Sequence, residues 1–470
     1  MYRVKKELIK SINYNESKYG TSSLLYSSLH HLHEAFFFKH HKELYLVGGC
    51  VRDLLLGKTP KDYDLCTNAT PEEVKEIIAS LRLKSFDSGI KHGTLTVIDE
   101  FFDQSYEITT YRTDGKYTDG RHPDSVTFTP SLEEDLKRRD LTINSFAYDL
   151  LTQEVVMLNE SFLKDLEYGI IRTVGNPEDR FNEDALRMLR AIRFAAQLGF
   201  TIEEETFKAI TKVSSKLELI SKERIRDELI KILMSDRPEM LSLLINTNLE
   251  KYIPLPLSKL LACNQHNKYH YTDVLHHTFD VINKTPKDME LRVAALLHDF
   301  GKPDKETMDE EGWNHYYEHE PRSADLVLEF METFKFDNTT RDNVYKMVRH
   351  HNRDLNTGMG AFKRLVRDVG VELFPKFLKL READALSHNL FGELPDTIKN
   401  LSLAKERYIK ILEYKDAMSL KDLAIDGCDL IEMGLEGKEI GDALNMAFEY
   451  VTEHPEANNK ETLLNLISEK

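Results

Sequence analysis

Asp62 and Asp64 stand two residues apart in the run KDYDLCT. The run is β-like, and side chains alternate along a strand, so both carboxylates point the same way. Paired hard oxygens suit Mg²⁺, which takes one or two carboxylates together with substrate phosphates. Two such ions, roughly 3.5–4 Å apart, activate an attacking hydroxyl and steady a departing pyrophosphate. Just upstream, LVGGCVRD supplies Gly48 and Gly49, whose missing Cβ lets the backbone come close to a triphosphate. It also supplies Arg52, a cation for phosphate or for a terminal base or sugar. The chemistry these residues predict is phosphoryl transfer from a nucleoside triphosphate. A lone DxD would read as an exposed acidic strand; GG, VRD and DxD at this spacing favour a site.

A second constellation lies in EDALRMLRAIRF. Asp184 and Arg187 are three apart and therefore neighbours on one helical face. Arg190 and Arg193 extend that stripe, while Leu186, Leu189 and Ile192 sit at angles that suit a core. An aspartate accepts from an exocyclic amine, and an arginine donates to ring acceptors. Cytosine and adenine both carry such an amine, so an Asp/Arg pair would admit C and A and refuse G and U. The plainer reading is a surface ion pair worth a few tenths of a kcal/mol.

A third cluster is rich in histidine. HNKYHYTDVLHHTFDVI is followed by LRVAALLHDFGKP, where a His-Asp doublet ends an apolar helix. His276 reads as a surface neighbour, and His266, His270 and His315 as ordinary surface residues.

These groups need elements to hold them. LYLVGG, YDLCT and LTVIDEFFDQSYEITTY read as strands, and Thr70 before Pro71-Glu72-Glu73 is a helix start. The alternation predicts a small α/β head ending near residue 150. From about 177 onward the pattern is almost wholly helical, and residues 1–43 read as mostly helical. Segment 112–124, RTDGKYTDGRHPD, reads as a mobile loop. Seams fall near 254–258, where IPLPLS carries two prolines, and near 414–420.

Length and composition bound the rest. A chain of 470 residues, 41% hydrophobic, suits two to four domains. No apolar run is long enough to span a membrane, and MYRVKKELIKSINYNESKYG lacks the features of a secretory signal. Cys50, Cys66, Cys263 and Cys428 are scattered without CxxC spacing, which fits a reducing cytoplasm. A net charge of −17 speaks against a general nucleic-acid coat protein. It leaves room for a local basic groove, and 112–144 and 180–226 are rich in arginine.

LVGGCVRDLLLGKTPKDYDLCTNATPEEV resembles the first motif of the class II tRNA nucleotidyltransferases, the CCA-adding family. GIKHGTLTV, EITTYRTDGKYTDGRHPDSVTF, RRDLTINSFAYD, IIRTVGNPEDRFNEDALRMLRAIRFAAQLGF and SKERIRDELIKIL follow in the family's order, over residues 44–234. The resemblance implies a polymerase β-like α/β head followed by all-α neck, HD and tail domains, an α+β protein overall. It implies Asp62 and Asp64 as the catalytic Mg²⁺ ligands. Nucleotide contacts are implied for Gly48, Gly49, Arg52, Arg139, Asp184 and Arg187, with Arg190 and Arg193 on the triphosphate or bracing the helix. Glu107, in YEITTYR, is open between a metal-facing carboxylate and a structural strand residue, and stays outside the catalytic set. The reaction implied is template-independent addition of C, C and A from CTP and ATP to the tRNA 3′ end. An A-adding or poly(A) polymerase-like enzyme is the alternative; its arginine-rich GRRF-like strand is replaced here by SGIKHGTLTV.

The HHT…HD pattern resembles the HD phosphohydrolase superfamily. By that resemblance His277, His298, Asp299 and Asp384 (in READALSHN) bind a metal such as Mn²⁺, Ni²⁺ or Fe²⁺. His319 and either His350 or His351 would complete a second ion. A third reading is therefore an HD hydrolase whose head merely binds RNA. Residues 419–466 resemble the family's tail, and Gly434, Gly437 and Lys438 there suit contact with the tRNA backbone. The expected division is an N-terminal helical extension 1–43, head 44–150, neck and body 151–256, HD domain 257–414 and tail 415–470.

Overall fold

The computed structural model describes residues 1–8, 21–115, 125–265, 272–388, 396–414 and 416–469. The loop expected over 112–124 lies outside them beyond residue 115, as do His266 and His270. The chain divides into two compact units, 1–232 with 240–253, and 233–239 with 254–470.

In the first unit, strands β1 (Tyr2–Lys5), β2 (Leu44–Val47), β3 (Tyr63–Thr67), β4 (Lys84–Gly89), β5 (Thr94–Asp99) and β6 (Gln104–Thr110) precede a short antiparallel pair. That pair is β7 (Arg112–Asp114) and β8 (Val126–Phe128); β9 (Phe146–Asp149) and β10 (Glu154–Met157) follow. Among the described residues eight strands form one sheet, in the order β1-β10-β9-β2-β3-β6-β5-β4. Only the β3–β6 ladder in it is parallel. Parallel neighbours need a crossover, and helix Pro71–Ser80 lies in the connection between them. Its start is a capping box: Thr70 Oγ1 accepts from the Glu73 N–H, and Glu73 Oε2 accepts from the Thr70 N–H. LYLV is buried throughout, as a central strand covered on both faces must be.

Two expectations change here. The run 95–111 is not one strand but the β5–β6 hairpin, turning at 100–103. Residues 1–43 are not helical from the start, because Tyr2–Lys5 pairs antiparallel with β10 at the sheet's edge. Helix Thr21–Glu34 then runs into a five-residue π-helical stretch, Ala35–Lys39. Past residue 177 the described strands are two-residue segments: Thr201–Ile202, paired with Ile170–Ile171, and Thr307–Met308 with Asn314–His315.

The second unit is helical. Helices Val274–Lys284, Met289–Leu297, His319–Thr333, Asn338–His350 and Phe374–Leu386 carry, within them or just past their C-terminal ends, the clustered His277, His298, Asp299, His319, His351 and Asp384. Met289–Leu297 is buried from Leu291 onward, which matches its unbroken apolar run. The last segment has a core of its own, in which Ile425, Leu430, Ala447, Val451 and Leu463 pack together. No helix among the described residues is long and apolar enough to cross a membrane.

Candidate functional site

The β2–helix turn is built on glycine for a steric reason. Gly48 has φ of +78° and ψ of −129°, and a Cβ there would lie 3.1 Å from the Arg139 Nη1. Helix Gly49–Leu55 begins at the next residue and presents Arg52 inward. The Arg52 guanidinium donates through Nη1 to Asn144 Oδ1 at 2.7 Å and through Nε and Nη2 to Asp53 Oδ1. Arg139 is anchored by Nη2 to Asp135 Oδ2 at 3.1 Å, and its Nε is buried with no hydrogen-bond partner. Arg138 holds the other oxygen of Asp135 through two donors. Burial would raise the Asp135 carboxyl, and the two arginines bring it below its ordinary value instead.

Asp64 lies in β3, and Asp62 is the exposed residue one position before the strand. Register adds a third carboxylate. Asp64 pairs directly with Glu107 across the parallel β3–β6 ladder, so both side chains leave the same face. Burial pushes the Asp64 carboxyl up; Glu107 and Asp62 push it the same way, and Arg139 opposes. Like charges this close destabilise one another unless a cation joins them, so the donor set fits a divalent ion.

The helix carrying Asp184 and Arg187 is interrupted. Helix Pro177–Glu183 ends at Asp184, whose φ of −140° and ψ of 106° are extended, and a new helix runs Leu186–Leu198. The predicted pair on one continuous face is therefore not formed. Asp184 Oδ2 accepts from Arg224 Nη2 at 2.9 Å, and Arg187 Nη1 donates to Glu183 Oε2 at 2.5 Å. Arg190 pairs with Asp140 at 2.7 Å, and Arg193 with Glu228 at 2.6 Å. Burial would raise Asp140, but Arg190 brings it down to about 2. Burial pushes Arg193 down to about 10 against the opposing charge of Glu228. Leu186, Leu189 and Ile192 are buried, as their angles predict.

One residue joins these groups. The guanidiniums of Arg52, Arg190 and Arg193 lie 5.0, 5.7 and 4.0 Å from the centroid of the Phe194 ring. Sequence reasoning missed Phe194, Asp140, Asn144, Arg224 and Glu228. The aspartate directly after Arg138-Arg139 and the acidic positions of SKERIRDEL were the signals available.

In the second unit, His277, His298 and Asp299 bring donor atoms within 4.8 Å of one another, as do His277, Asp384 and His388, and Asp299, His319 and His351. His351, rather than His350, shares such a group with Asp299 and His319, and His388 joins His277 and Asp384. His276 is exposed and bonded to Asp273, apart from the cluster. The tautomers say why a cation fits. Nδ1 of His298, His319 and His351 each lies 2.7–2.8 Å from a backbone carbonyl oxygen, and so carries the proton. The Nε2 lone pairs are left facing inward. His319 and His351 Nε2 are 3.3 Å apart, with Asp299 Oδ1 3.3 Å and 3.7 Å from them. Lone pairs and a carboxylate oxygen converging in a buried space describe metal ligands with their backbone supports. Burial opposes ionisation of Asp299, yet His298 and Lys302 hold it well below the carboxylate range. Asp384 is held down likewise, by His388 and His277. Burial pushes His277 below its ordinary value.

Comparison with known proteins gives three family matches. Residues 44–172 match the "Poly A polymerase head domain", 199–258 the "Probable RNA and SrmB- binding site of polymerase A", and 270–429 the "HD domain". The nucleotidyltransferase and HD families are metal-dependent. A CCA-adding enzyme of Ligilactobacillus salivarius is 51% identical over 214 residues, 45% of this chain and 51% of that one. One of Enterococcus faecalis is 50% identical over 213 residues, 45% of this chain and 50% of that one. The chain thus spans about half the length of the curated relatives it matches. Among solved structures, the Bacillus stearothermophilus CCA-adding enzyme in complex with CTP aligns at a TM-score of 0.69 and 28% identity, over 93% of this chain and 95% of that one. The Thermotoga maritima CCA-adding enzyme complexed with tRNA shares the fold, with a TM-score of 0.53 and 19% identity over 94% and 95%.

Proposed function

We propose that this chain is a class II tRNA nucleotidyltransferase carrying an HD domain, and that it adds C, C and A from CTP and ATP to the 3′ end of tRNA. The carrying observation is the register of Asp64 with Glu107, two residues beyond Asp62 and within the field of Arg139. Asp62 and Asp64 would hold Mg²⁺, with Glu107 beside them; a divalent ion held there would supply activation of the RNA hydroxyl and neutralisation of the departing phosphates. The terminal ribose oxygen bonds to the α-phosphorus, the α–β bridging bond breaks, and pyrophosphate leaves. Gly48, Gly49, Arg52 and Arg139 receive the triphosphate. Asp184 and Arg187 read the base edge, with Arg224 orienting the carboxylate. Arg190 and Arg193 brace the helix through Asp140 and Glu228, and Phe194 ties that brace to Arg52.

The head is residues 44–150 and the base-reading body 151–256, with Tyr2–Lys5 of the extension 1–43 at the sheet edge. The tail 415–470, through Gly434, Gly437 and Lys438, takes the tRNA backbone. Such work places the chain in the cytoplasm with its substrate, and four scattered thiols suit that compartment. The relatives named as CCA-adding support this reading over polyadenylation. The test is a sequencing-gel assay on a tRNA transcript lacking its CCA. With CTP and ATP together, growth stops after three nucleotides. An ATP tail that grows without limit would establish the polymerase alternative.

The clustered imidazoles and carboxylates support a second reading for 257–414: a metal-dependent phosphohydrolase using His277, His298, Asp299 and Asp384, with His319, His351 and His388. Mixed nitrogen and oxygen donors favour Mn²⁺, Ni²⁺ or Fe²⁺.

A further inference from the structure

Asn144 ends the short turn Thr142–Asn144, and only 7% of it is exposed. Its amide lies between opposite charges. Oδ1 accepts from Arg52 Nη1 at 2.7 Å, and Nδ2 donates to Asp140 Oδ1 at 3.4 Å. A flipped amide would aim its NH₂ at a guanidinium and its oxygen at a carboxylate, so the charges on either side fix its orientation. Asp140 Oδ1 also accepts from the Leu141 N–H at 2.8 Å, and Oδ2 accepts from Arg190 Nε at 2.7 Å. A hydrogen-bonded chain, Arg52–Asn144–Asp140–Arg190, thus joins the helix that follows the glycine turn to helix Leu186–Leu198.

The donors of Arg52 show what this chain leaves over. A guanidinium carries five N–H groups. Nε and Nη2 donate to Asp53 Oδ1 at 2.9 and 2.7 Å, and Nη1 donates to Asn144. Among the described residues, one N–H on each terminal nitrogen is left without a partner. Those two nitrogens lie against the glycine turn: a Cβ on Gly49 would stand 3.7 Å from Nη2 and 4.0 Å from Nη1. The Phe194 ring, its centroid 5.0 Å from the guanidinium carbon, backs the same group. Two spare donors beside a turn without side chains suit two oxygens of one phosphate. A neutral amide is the fitting holder for Nη1, because a second carboxylate there would face Asp140 and repel that phosphate.

We propose that Asn144 is a positioning residue for nucleotidyl transfer: it fixes Arg52 so that the two spare donors meet a phosphate of the incoming triphosphate. Through Asp140 it ties that posture to the helix carrying Arg190. The inference rests on the nucleotidyltransferase reading of the head. In this role Asn144 acts through Arg52 and not on the substrate, so its effect belongs to the phosphates and not to the base.

The test is a double-mutant cycle on the full chain with Mg²⁺. Asn144→Leu, Arg52→Met and the double variant are compared with the native protein. Initial rates on a tRNA transcript lacking its CCA give kcat and the KM for CTP, and calorimetry without tRNA compares CTP with cytidine. Asn144→Leu should weaken CTP about tenfold, as misplacing a charge-assisted pair requires, and leave cytidine within about twofold. Placed on Arg52→Met, it should weaken CTP by less than about twofold further, because the group it positions is already gone. If Asn144→Leu does not fold, Asn144→Ser, too short to reach Arg52, runs the same cycle. Equal losses in both backgrounds, or CTP and cytidine weakened alike, would make Asn144 merely structural and overturn the proposal. Folded variants that take CTP natively would overturn it too. Native protein that incorporates no nucleotide would instead overturn the head reading on which it rests.

Discussion

The carboxylate of Asp184 is held by Arg224: Oδ2 accepts from Nη2 at 2.9 Å, while Oδ1 accepts from the Leu186 N–H at 3.0 Å. A residue that would read a base edge is thus fixed from both sides before any nucleotide arrives, at a break between helices. Pre-set donors and acceptors reject a wrong partner because mismatched groups stay unpaired. Substituting Asp184→Ala should blur the preference for CTP and ATP over GTP and UTP by about tenfold or more. Arg224→Met should blur it in the same direction, by freeing the carboxylate. Ratios of kcat/KM for the four triphosphates measure this, alongside tRNA affinity, which is expected to hold. Sharp selection in both variants would remove the base-reading role.

Asp62→Ala or Asp64→Ala should abolish incorporation while tRNA binding stays within about twofold, since an exposed or half-buried carboxylate contributes little to a phosphate-dominated interface. Glu107→Gln removes one of the three mutually repelling charges and keeps the shape. It should raise the Mg²⁺ concentration needed for half-maximal rate. Metal titrations of initial rate read this directly, and an unchanged Mg²⁺ requirement would place Glu107 outside the centre.

Arg190 and the buried Asp140 form a part-buried pair whose loss should be structural first. Arg190→Met removes the cation bonded to the buried Asp140 and leaves only the more distant charge of Arg187, a loss bounded by the roughly 3–5 kcal/mol of a fully buried pair. Denaturant unfolding of the variant measures it. The pH sign follows from Asp140. Its folded value of about 2 lies below the ordinary 3.8. The stabilisation is therefore present above pH of about 4 and lost as pH falls toward 2, a swing of roughly 2 kcal/mol. Arg190→Met should lack that swing, so native and variant stabilities converge with acidification through this window.

Much of this arrangement is legible in the sequence, for reasons that can be named. LYLV and YDLCT are short β-rich runs, and Thr70-Pro71-Glu72-Glu73 carries its own cap chemistry. Leu186, Leu189 and Ile192 keep helical spacing and are buried. The HD doublet and its distant partners are residue types that need one another. The break at Asp184 was not legible, because EDALRMLRAIRF keeps an unbroken helical pattern, and one of the two bonds that hold its carboxylate comes from Arg224, forty residues on. Tyr2–Lys5 escaped because four residues of mixed polarity form a strand only by pairing with β10. Phe194 reads as an ordinary apolar helix position, and only the folded chain sets three guanidiniums around its ring.

The inward Nε2 atoms of His319 and His351, 3.3 Å apart, make the second centre sensitive to metal removal. Chelation should lower the melting temperature of the native protein, and Mn²⁺ or Ni²⁺ should restore it, because a ligand binding only the folded state stabilises it. His351→Ala should lose most of that metal-dependent increment. Calorimetric melts with and without chelator decide the point, and superimposable traces would contradict a resident ion.

A crystal of this chain grown with Mn²⁺ in place of Mg²⁺ and a non-hydrolysable CTP analogue tests the central claim most directly. Anomalous density should lie at coordination distance from Asp62 and Asp64, about 2.0–2.2 Å, with the analogue's phosphates beside Arg52 and Arg139. An analogue seated elsewhere, with no anomalous peak at the start of β3, would contradict it.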